Sequence, residues 1–449
     1  MDPQLEKDYL DLVVQVVEKA GKRGVMAEAY LSGSQELNIE VRDQEIEALT
    51  VASDRGLGLR VLAGGKVGFA YTTDLSPAAL DEVVDRALAN AGLATADPFN
   101  RLPGSPGGYP ELAIYDPDIE ATPVADKIEM ARKLEREARA FDPRVKITES
   151  CCYRDQTYVV ALANSQGVAA SYRGAYCGLS LFVVAVEGAE NQTGFSLQYT
   201  LRLKELDAAR VGREAAARAV RQLGARRIET QKAAVVFDPY VASNFLSVLA
   251  SSLTAEAVQK GKSLFKGRVG QKVASDMVSI IDDGRLAGGI ATAPFDGEGV
   301  PTGRTVLIEG GILRGFLHNT YTAAREGVKS TGNGSRGSFK TTPEVGTTNF
   351  FIQPGKLSPE ELLKDIERGF YVTEVMGMHT ANPVSGDFSV GASGLLIEKG
   401  ELTRPVRGVA IAGNLIGLLE AVDGVGNDLV FFGATGSPTL RIARMTISG

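Results

Sequence analysis

Leu37-Asn38-Ile39-Glu40-Val41, Ile46 to Val51, Gly56-Leu57-Gly58-Leu59-Arg60-Val61 and Gly68-Phe69-Ala70-Tyr71 follow one another in a short span of chain. Apolar positions alternate in them with polar or small ones, the period of a half-buried strand, and the spacing predicts four short antiparallel strands. Helices flank the run. Asp2-Pro3 and Ser76-Pro77 each offer a cap oxygen followed by a residue whose missing N–H needs no partner. The first opens a helix with Leu5, Tyr9, Val13, Val16 and Ala20 on one face, stopping at Gly21; the second runs through Leu80, Val84 and Leu88.

The same order returns further on. Thr122-Pro123 opens a helix through Ile128, Ala131, Leu134, Ala138 and Phe141. Strand-like stretches follow at Tyr158-Val159-Val160-Ala161-Leu162, Val168 to Tyr172, Gly178-Leu179-Ser180-Leu181 and Gly194-Phe195-Ser196-Leu197, with a turn at Asn164-Ser165-Gln166-Gly167. A helix with Val211, Ala215, Ala219 and Leu223 on one face ends at Gly224. The pattern is that of a duplicated helix, four-strand, helix unit, the alternative being two unrelated meanders. Between the copies, Pro98, Pro103, Pro106, Pro110, Pro117 and Pro123 interleave with Gly104, Gly107 and Gly108, the composition of an exposed connector.

From about Gln231 the chain becomes glycine-punctuated and strand-rich, with helix starts at Asp238-Pro239 and at the capping box Ser358-Pro359-Glu360-Glu361, the latter stopped by Gly369. The expected fold is therefore α+β: an N-terminal α+β domain over 1–97, a connector over 98–122, a central α+β domain over 123–228, and a β-rich C-terminal domain over 229–449.

Two histidines and three cysteines in 449 residues leave little material for a self-contained zinc site, and His318 and His379 share no helix turn. Forty-eight basic against 55 acidic residues give a net charge of -7, the wrong sign for broad nucleic-acid contact. The start Met1-Asp2-Pro3-Gln4-Leu5-Glu6-Lys7 lacks a signal peptide's basic and apolar regions, and no membrane-length apolar run occurs, so a cytoplasmic protein is expected. Cys151, Cys152 and Cys177 show no C-x-x-C spacing and are expected reduced and mostly buried.

Gly332-Asn333-Gly334-Ser335-Arg336-Gly337 matches G-x-G-x-x-G, but Ser338-Phe339-Lys340-Thr341-Thr342-Pro343 follows without helical period, so a flexible loop is expected and not a dinucleotide turn. Arg336 on that loop is a candidate for closing over an anionic group such as a peptide terminus. There is no P-loop and no G-x-S-x-G elbow. The run from Gly377 to Gly394 is dense in small and polar residues, unlike an ordinary core strand, and suits either close backbone approach to a ligand or another chain, or a glycine-rich turn.

That run carries a family resemblance. Asn382-Pro383-Val384-Ser385-Gly386-Asp387-Phe388-Ser389-Val390-Gly391-Ala392-Ser393-Gly394, with Ile397-Glu398-Lys399-Gly400, Ala412-Gly413-Asn414-Leu415 and Gly426-Asn427-Asp428, resembles the C-terminal region of the TldD/PmbA family. Phe295-Asp296-Gly297-Glu298-Gly299-Val300-Pro301-Thr302 and the stretch Lys260 to Ser275 extend the likeness, which covers essentially the whole chain. The resemblance implies a cytoplasmic metallopeptidase of two related subunits, TldD and TldE (also called PmbA), that degrades unfolded or modified peptides.

The family's catalytic subunit carries H-E-x-x-x-H on a helix shortly before K-G-x-S-x-F, and a cysteine ligand near its C-terminus. Registering this chain on Lys260-Gly261 puts Leu246, Ser247 and Ser251 at the His, Glu and His positions, and Phe431 to Leu440 holds no cysteine. The resemblance is thus to the TldE/PmbA side: no catalytic or metal residue here, zinc on a TldD-like partner, peptide as substrate, and a homodimer as the assembly without that partner. Arg336, His379, Asn382, Asp387, Ser389, Asn427 and Asp428 are the candidates for substrate binding or interface lining. A zinc-free hydrolase using Asp387 or His379 as base, and a regulatory protein of the DNA gyrase modulator type, are the alternatives.

Overall fold

The computed structural model describes residues 3–449. Helix α1 (Pro3–Gly21) buries Tyr9, Val13, Val16 and Ala20, as its apolar stripe requires, while its expected cap Asp2 lies outside the described residues. Strands β1 (Met26–Arg42), β2 (Glu45–Ala63) and β3 (Lys66–Thr72) and helix α2 (Pro77–Leu93) complete the first unit. After a short α3 (Pro117–Ala121), the second unit repeats the order with α4 (Val124–Phe141), β4 (Val145–Asn164), β5 (Ala169–Glu187), β6 (Glu190–Thr200) and α5 (Ala208–Val220). Ser76 makes no side-chain capping bond to α2, and the cap position of α4 is held by Pro123 and not by the expected Thr122, which closes α3 instead.

Each unit carries three long strands where four short ones were expected. Ile46 to Val51 and Gly56 to Val61 are one strand, β2, and Val168-to-Tyr172 and Gly178-to-Leu181 belong together in β5. The glycines that suggested a break serve close approach instead. A Cβ at Gly56 would lie 2.3 Å from the Phe339 ring, and one at Gly58 would lie 2.2 Å from the Phe339 carbonyl oxygen.

The units share a single antiparallel sheet, ordered β3-β2-β1-β4-β5-β6 and joined by pairing of β1 from Glu28 to Glu40 with β4 from Asn164 to Cys152. On one face, α1 and α2 enclose Ala29, Leu31, Leu57, Leu59 and Val159. On the same face α4 and α5 cover Ile39, Cys151, Tyr153, Cys177 and Leu181. All three cysteines are free, Cys151 and Cys177 buried and Cys152 partly so. The connector is less exposed than its composition suggests: Ile114 is buried, its carbonyl accepts from Ala175 N at 2.9 Å, and Arg202 holds the carbonyls of Tyr115 and Ala113 at 2.8 and 2.9 Å. That segment runs beside β5 where β6 does not reach.

The remainder of the chain is strand-rich. Beginning at β7 (Gln231–Phe237), one sheet orders Glu401–Asn414, Asp387–Glu398, Arg368–Met376, β7 and Leu440–Ser448, and pairing of Ala410–Ala412 with Thr446–Ser448 closes these five into a ring. A second sheet contains Arg304–Glu309, Ile280–Asp283, Phe350–Ile352, Thr435–Ser437 and the edge strand Val430–Phe432. Helix α6 (Pro239–Ala250) packs among these strands, capped by Asp238, whose carboxylate accepts from Tyr240 N at 2.8 Å. The ring of Phe245 stacks on Phe237 at 5.0 Å and meets Phe388 edge-on at 4.9 Å. The second half of the Gly377-to-Gly394 run is an ordinary core strand after all, with Phe388, Val390 and Ala392 buried. Its small residues alternate with the inward ones, which is why composition alone obscured it. No helix among the described residues is long and apolar enough to cross a membrane.

Candidate functional site

The uncovered face of the N-terminal sheet meets the C-terminal region across a buried ionic seam. Glu28 on β1 and Arg60 on β2 are cross-strand partners, and Arg60 Nη2 donates to Glu28 Oε2 at 2.8 Å and to Glu298 Oε1 at 3.2 Å. Glu298 Oε2 accepts in turn from Thr320 N at 2.7 Å. Arg336 completes the alternation of charge: Nη2 donates to Glu28, Nε to the Gly297 carbonyl at 2.6 Å and Nη1 to the Thr341 carbonyl at 2.8 Å. Burial presses the Arg60 pKa down, but Glu28 and Glu298 outweigh it and hold the guanidinium firmly charged. At Arg336 burial outweighs the attraction of Glu28 and lowers the pKa, yet a guanidinium inside a protein keeps its charge.

Two carboxyl groups beside this seam have no cationic partner among the described residues. Asp296 Oδ1 accepts from Glu298 N and Val300 N at 2.9 and 3.0 Å, and Oδ2 from Gly334 N at 2.7 Å. Burial, with Glu298 adding repulsion, raises its pKa well above the carboxylate range. Asp282 accepts from Thr348 N, Thr348 Oγ1 and Asn333 Nδ2 at 2.6, 2.7 and 2.8 Å, yet burial still pushes it up to about 6. A cavity of about 190 Å³ opens against Asp296, walled by Tyr30, Tyr172 and Phe295 and floored by glycine-rich backbone at 332–334 and 346.

The residues singled out from sequence do not form one site. Arg336 lies in the seam, its side chain 1% exposed and its nitrogens already occupied, and the loop that carries it is a hairpin pairing Gly334–Ser335 with Glu344–Val345. His379, Asn382, Asp387 and Ser389 are exposed on another part of the C-terminal region. There Asn382 Oδ1 accepts from Val384 N and Ser385 N at 2.8 and 3.1 Å, and Asn414 Nδ2 donates to Asp387 Oδ1 at 3.0 Å. The Asn414 bond, with a second from the Ser385 side chain, holds Asp387 below its usual pKa. Asp428 is spent on Thr439, accepting from its N at 3.0 Å and its Oγ1 at 2.7 Å, beside exposed Asn427.

Glu28, Arg60, Asp296 and Glu298 were not singled out individually. A signal existed for two of them. Arg60 is the lone charge in an otherwise apolar alternation, on the face opposite Leu57 and Leu59, and Glu28 is the lone charge among Met26, Ala27, Ala29, Tyr30 and Leu31. Nothing local marks Glu298, whose partners lie on distant segments of the chain.

On α6, Leu246 is buried at 3% exposure, while Ser247 and, just past the helix end, Ser251 are exposed, and Ser247 Oγ donates back to the Ser243 carbonyl at 2.9 Å. Among the described residues no three His, Cys, Asp or Glu side chains gather in a way that could hold a metal ion. Beside the first turn of α6, two sheet edges approach: Phe195 on β6 and Phe432 on Val430–Phe432 flank Tyr240, with ring centroids 4.4 and 5.2 Å away.

Three family models match the chain: PmbA/TldA metallopeptidase domain 1 over 27–91, the central domain over 117–223 and the C-terminal domain over 230–449. The chain is 30% identical to Metalloprotease PmbA of Escherichia coli O157:H7, over 93% of this chain and 91% of that one. It superposes on a candidate DNA gyrase modulator from Thermotoga maritima with a TM-score of 0.91, at 29% identity and covering 98% of this chain and 99% of the other. TldE from Thermococcus kodakarensis shares the fold, with a TM-score of 0.91 at 24% identity, covering 98% and 100% of the two chains.

Proposed function

From the premise that this chain belongs to the PmbA/TldD metallopeptidase family, we propose that it is a TldE/PmbA-type subunit, itself non-catalytic, of a cytoplasmic zinc metallopeptidase acting on unfolded or modified peptides. One observation carries the reading. The positions that register with the family's H-E-x-x-x-H hold a leucine packed into the core and two outward serines. These residues do not fit zinc, since Leu246 has no lone pair and Ser247 is no carboxylate base. In this reading α6 is a packing element, and the metal belongs to a TldD-like partner.

This chain's contribution is then to bind and orient peptide. The sheet edges at β6 and Val430–Phe432 leave backbone groups for an extended peptide to pair with, which gives affinity with little sequence preference. His379, Asn382, Asp387, Ser389, Asn427 and Asp428 are candidates for contacting peptide elsewhere on the chain or for lining the partner interface. His379→Ala, Asn382→Ala and Asp387→Ala should each lower peptide turnover by the complex without changing its zinc content. Unchanged turnover in all three variants removes these residues from substrate contact and from the working interface.

A zinc-free hydrolase is the poorer reading. Asp387, one of its two candidate bases beside His379, is exposed and held below its usual pKa by Asn414 and Ser385, which weakens it as a base. The net charge of -7 disfavours direct DNA contact. Without a TldD-like chain, pairing of two copies through the shared fold is the expected assembly.

A further inference from the structure

Arg336 was the expected anion ligand, but its nitrogens are all engaged by Gly297, Thr341 and Glu28. What the seam leaves free is acceptor capacity. The guanidiniums of Arg60 and Arg336 are matched by the carboxylates of Glu28 and Glu298, while Asp296 and Asp282 stand beside them with only backbone N–H, hydroxyl and amide donors among the described residues. Asp296, the carboxyl that reaches the cavity wall, is met only by backbone N–H groups. The hydroxyls of Tyr30 and Tyr172, also at the wall, bond to no described protein group. Tyr172 and Phe295 stand nearly perpendicular, at 83° and 4.9 Å, and make an aromatic corner beside the carboxyl.

We infer that this cavity binds a small organic ammonium group, the amino end or lysyl side chain of a peptide, between the Asp296 carboxylate and the Tyr30, Tyr172 and Phe295 side chains. The Tyr30 ring already carries the Arg336 guanidinium at 5.0 Å, and Arg336 also lines the cavity with its nitrogens tied to Glu28, Gly297 and Thr341. The Tyr172 and Phe295 rings are therefore the ones that attract an alkylammonium, while hydroxyls and carboxylate accept its N–H bonds and Ala291, Ala293 and glycine backbone leave space for it. About 190 Å³ corresponds to roughly six waters, enough for an ammonium and a short alkyl stem. Tyr172 and Phe295 also wall a second hollow of about 430 Å³ under the connector at Tyr109–Tyr115, which offers room for the rest of the peptide. The raised pKa of Asp296 agrees with a carboxyl that waits protonated and ionises when a cation arrives, its proton leaving to solvent.

The inference rests on the peptide-binding reading only for the identity of the amine. Its test is calorimetric titration of the full-length chain, without a partner, using trialanine, N-acetyl-trialanine and N-acetyl-Ala-Lys-Ala. At least one peptide bearing an ammonium group should bind about tenfold or more tightly than N-acetyl-trialanine, and which one does so identifies α-amino or lysyl recognition. Asp296→Asn should abolish that preference. Tyr172→Phe, which deletes only a hydroxyl, should reduce it by a smaller factor, and it serves if the Asn variant fails to fold. Equal binding of all three peptides, no binding at millimolar concentration, or an unchanged preference in folded variants overturns the inference. Zinc content and partner-dependent turnover are separate readouts, so failure here leaves the subunit assignment standing.

Discussion

Asp282 illustrates how burial outweighs good hydrogen bonding: three donors hold its carboxyl, and still its pKa stands near 6 against 3.8. Because the folded value lies above the unfolded one, the stability tied to its protonated form is complete below about pH 4 and lost as pH rises through about 6. That loss is on the order of 3 kcal/mol for a shift of this size. Asp282→Asn should therefore gain stability relative to the parent between pH 4 and pH 7 in urea titrations, and a difference flat in pH would contradict the assignment. Arg60→Met should cost about 3–5 kcal/mol, because it strips Glu298 of its only ion pair among the described residues and Glu28 of one of two. A loss below about 1 kcal/mol would mean that the seam is well solvated. Arg60 and Glu28 could have been suspected from their places in apolar stretches, but the seam as a whole was illegible, since its members come from positions 28, 60, 298 and 336.

At the scale of elements, alternation identified strand positions correctly and strand ends poorly. Glycine in a strand is ambiguous between a turn and a close contact. At Gly58 the contact wins, with Phe339 backbone lying where a Cβ would go. Gly58→Ala should cost roughly 1–3 kcal/mol of unfolding free energy in denaturant titrations, whereas a local turn there would tolerate the methyl. The α6 helix was legible from Asp238-Pro239 and its apolar face, and the structure makes it a core helix. Leu246→Ala should destabilise by about 2–5 kcal/mol while leaving turnover per folded complex intact. Ser247→Ala and Ser251→Ala, at outward positions, should change stability by less than about 0.5 kcal/mol. Loss of turnover in the serine variants without unfolding would give α6 a chemical role it is not assigned here.

In the whole molecule, the repeated unit, the strand-rich second half and the family were all readable from sequence. That the two repeats fuse into one sheet was not, because pairing of β1 with β4 links segments separated by a whole unit. The cavity lies where that sheet's bare face meets the C-terminal region, so it arises only on assembly of both. The proposed division of labour, with peptide held by this chain and zinc by its partner, is tested most directly by zinc analysis of the purified chain alone and with a TldD-type partner, alongside peptide cleavage. The account predicts no zinc and no cleavage for the chain alone, and one zinc per pair with cleavage lost to a chelator for the complex. One zinc per chain, or chelator-resistant cleavage, in the absence of a partner would contradict it.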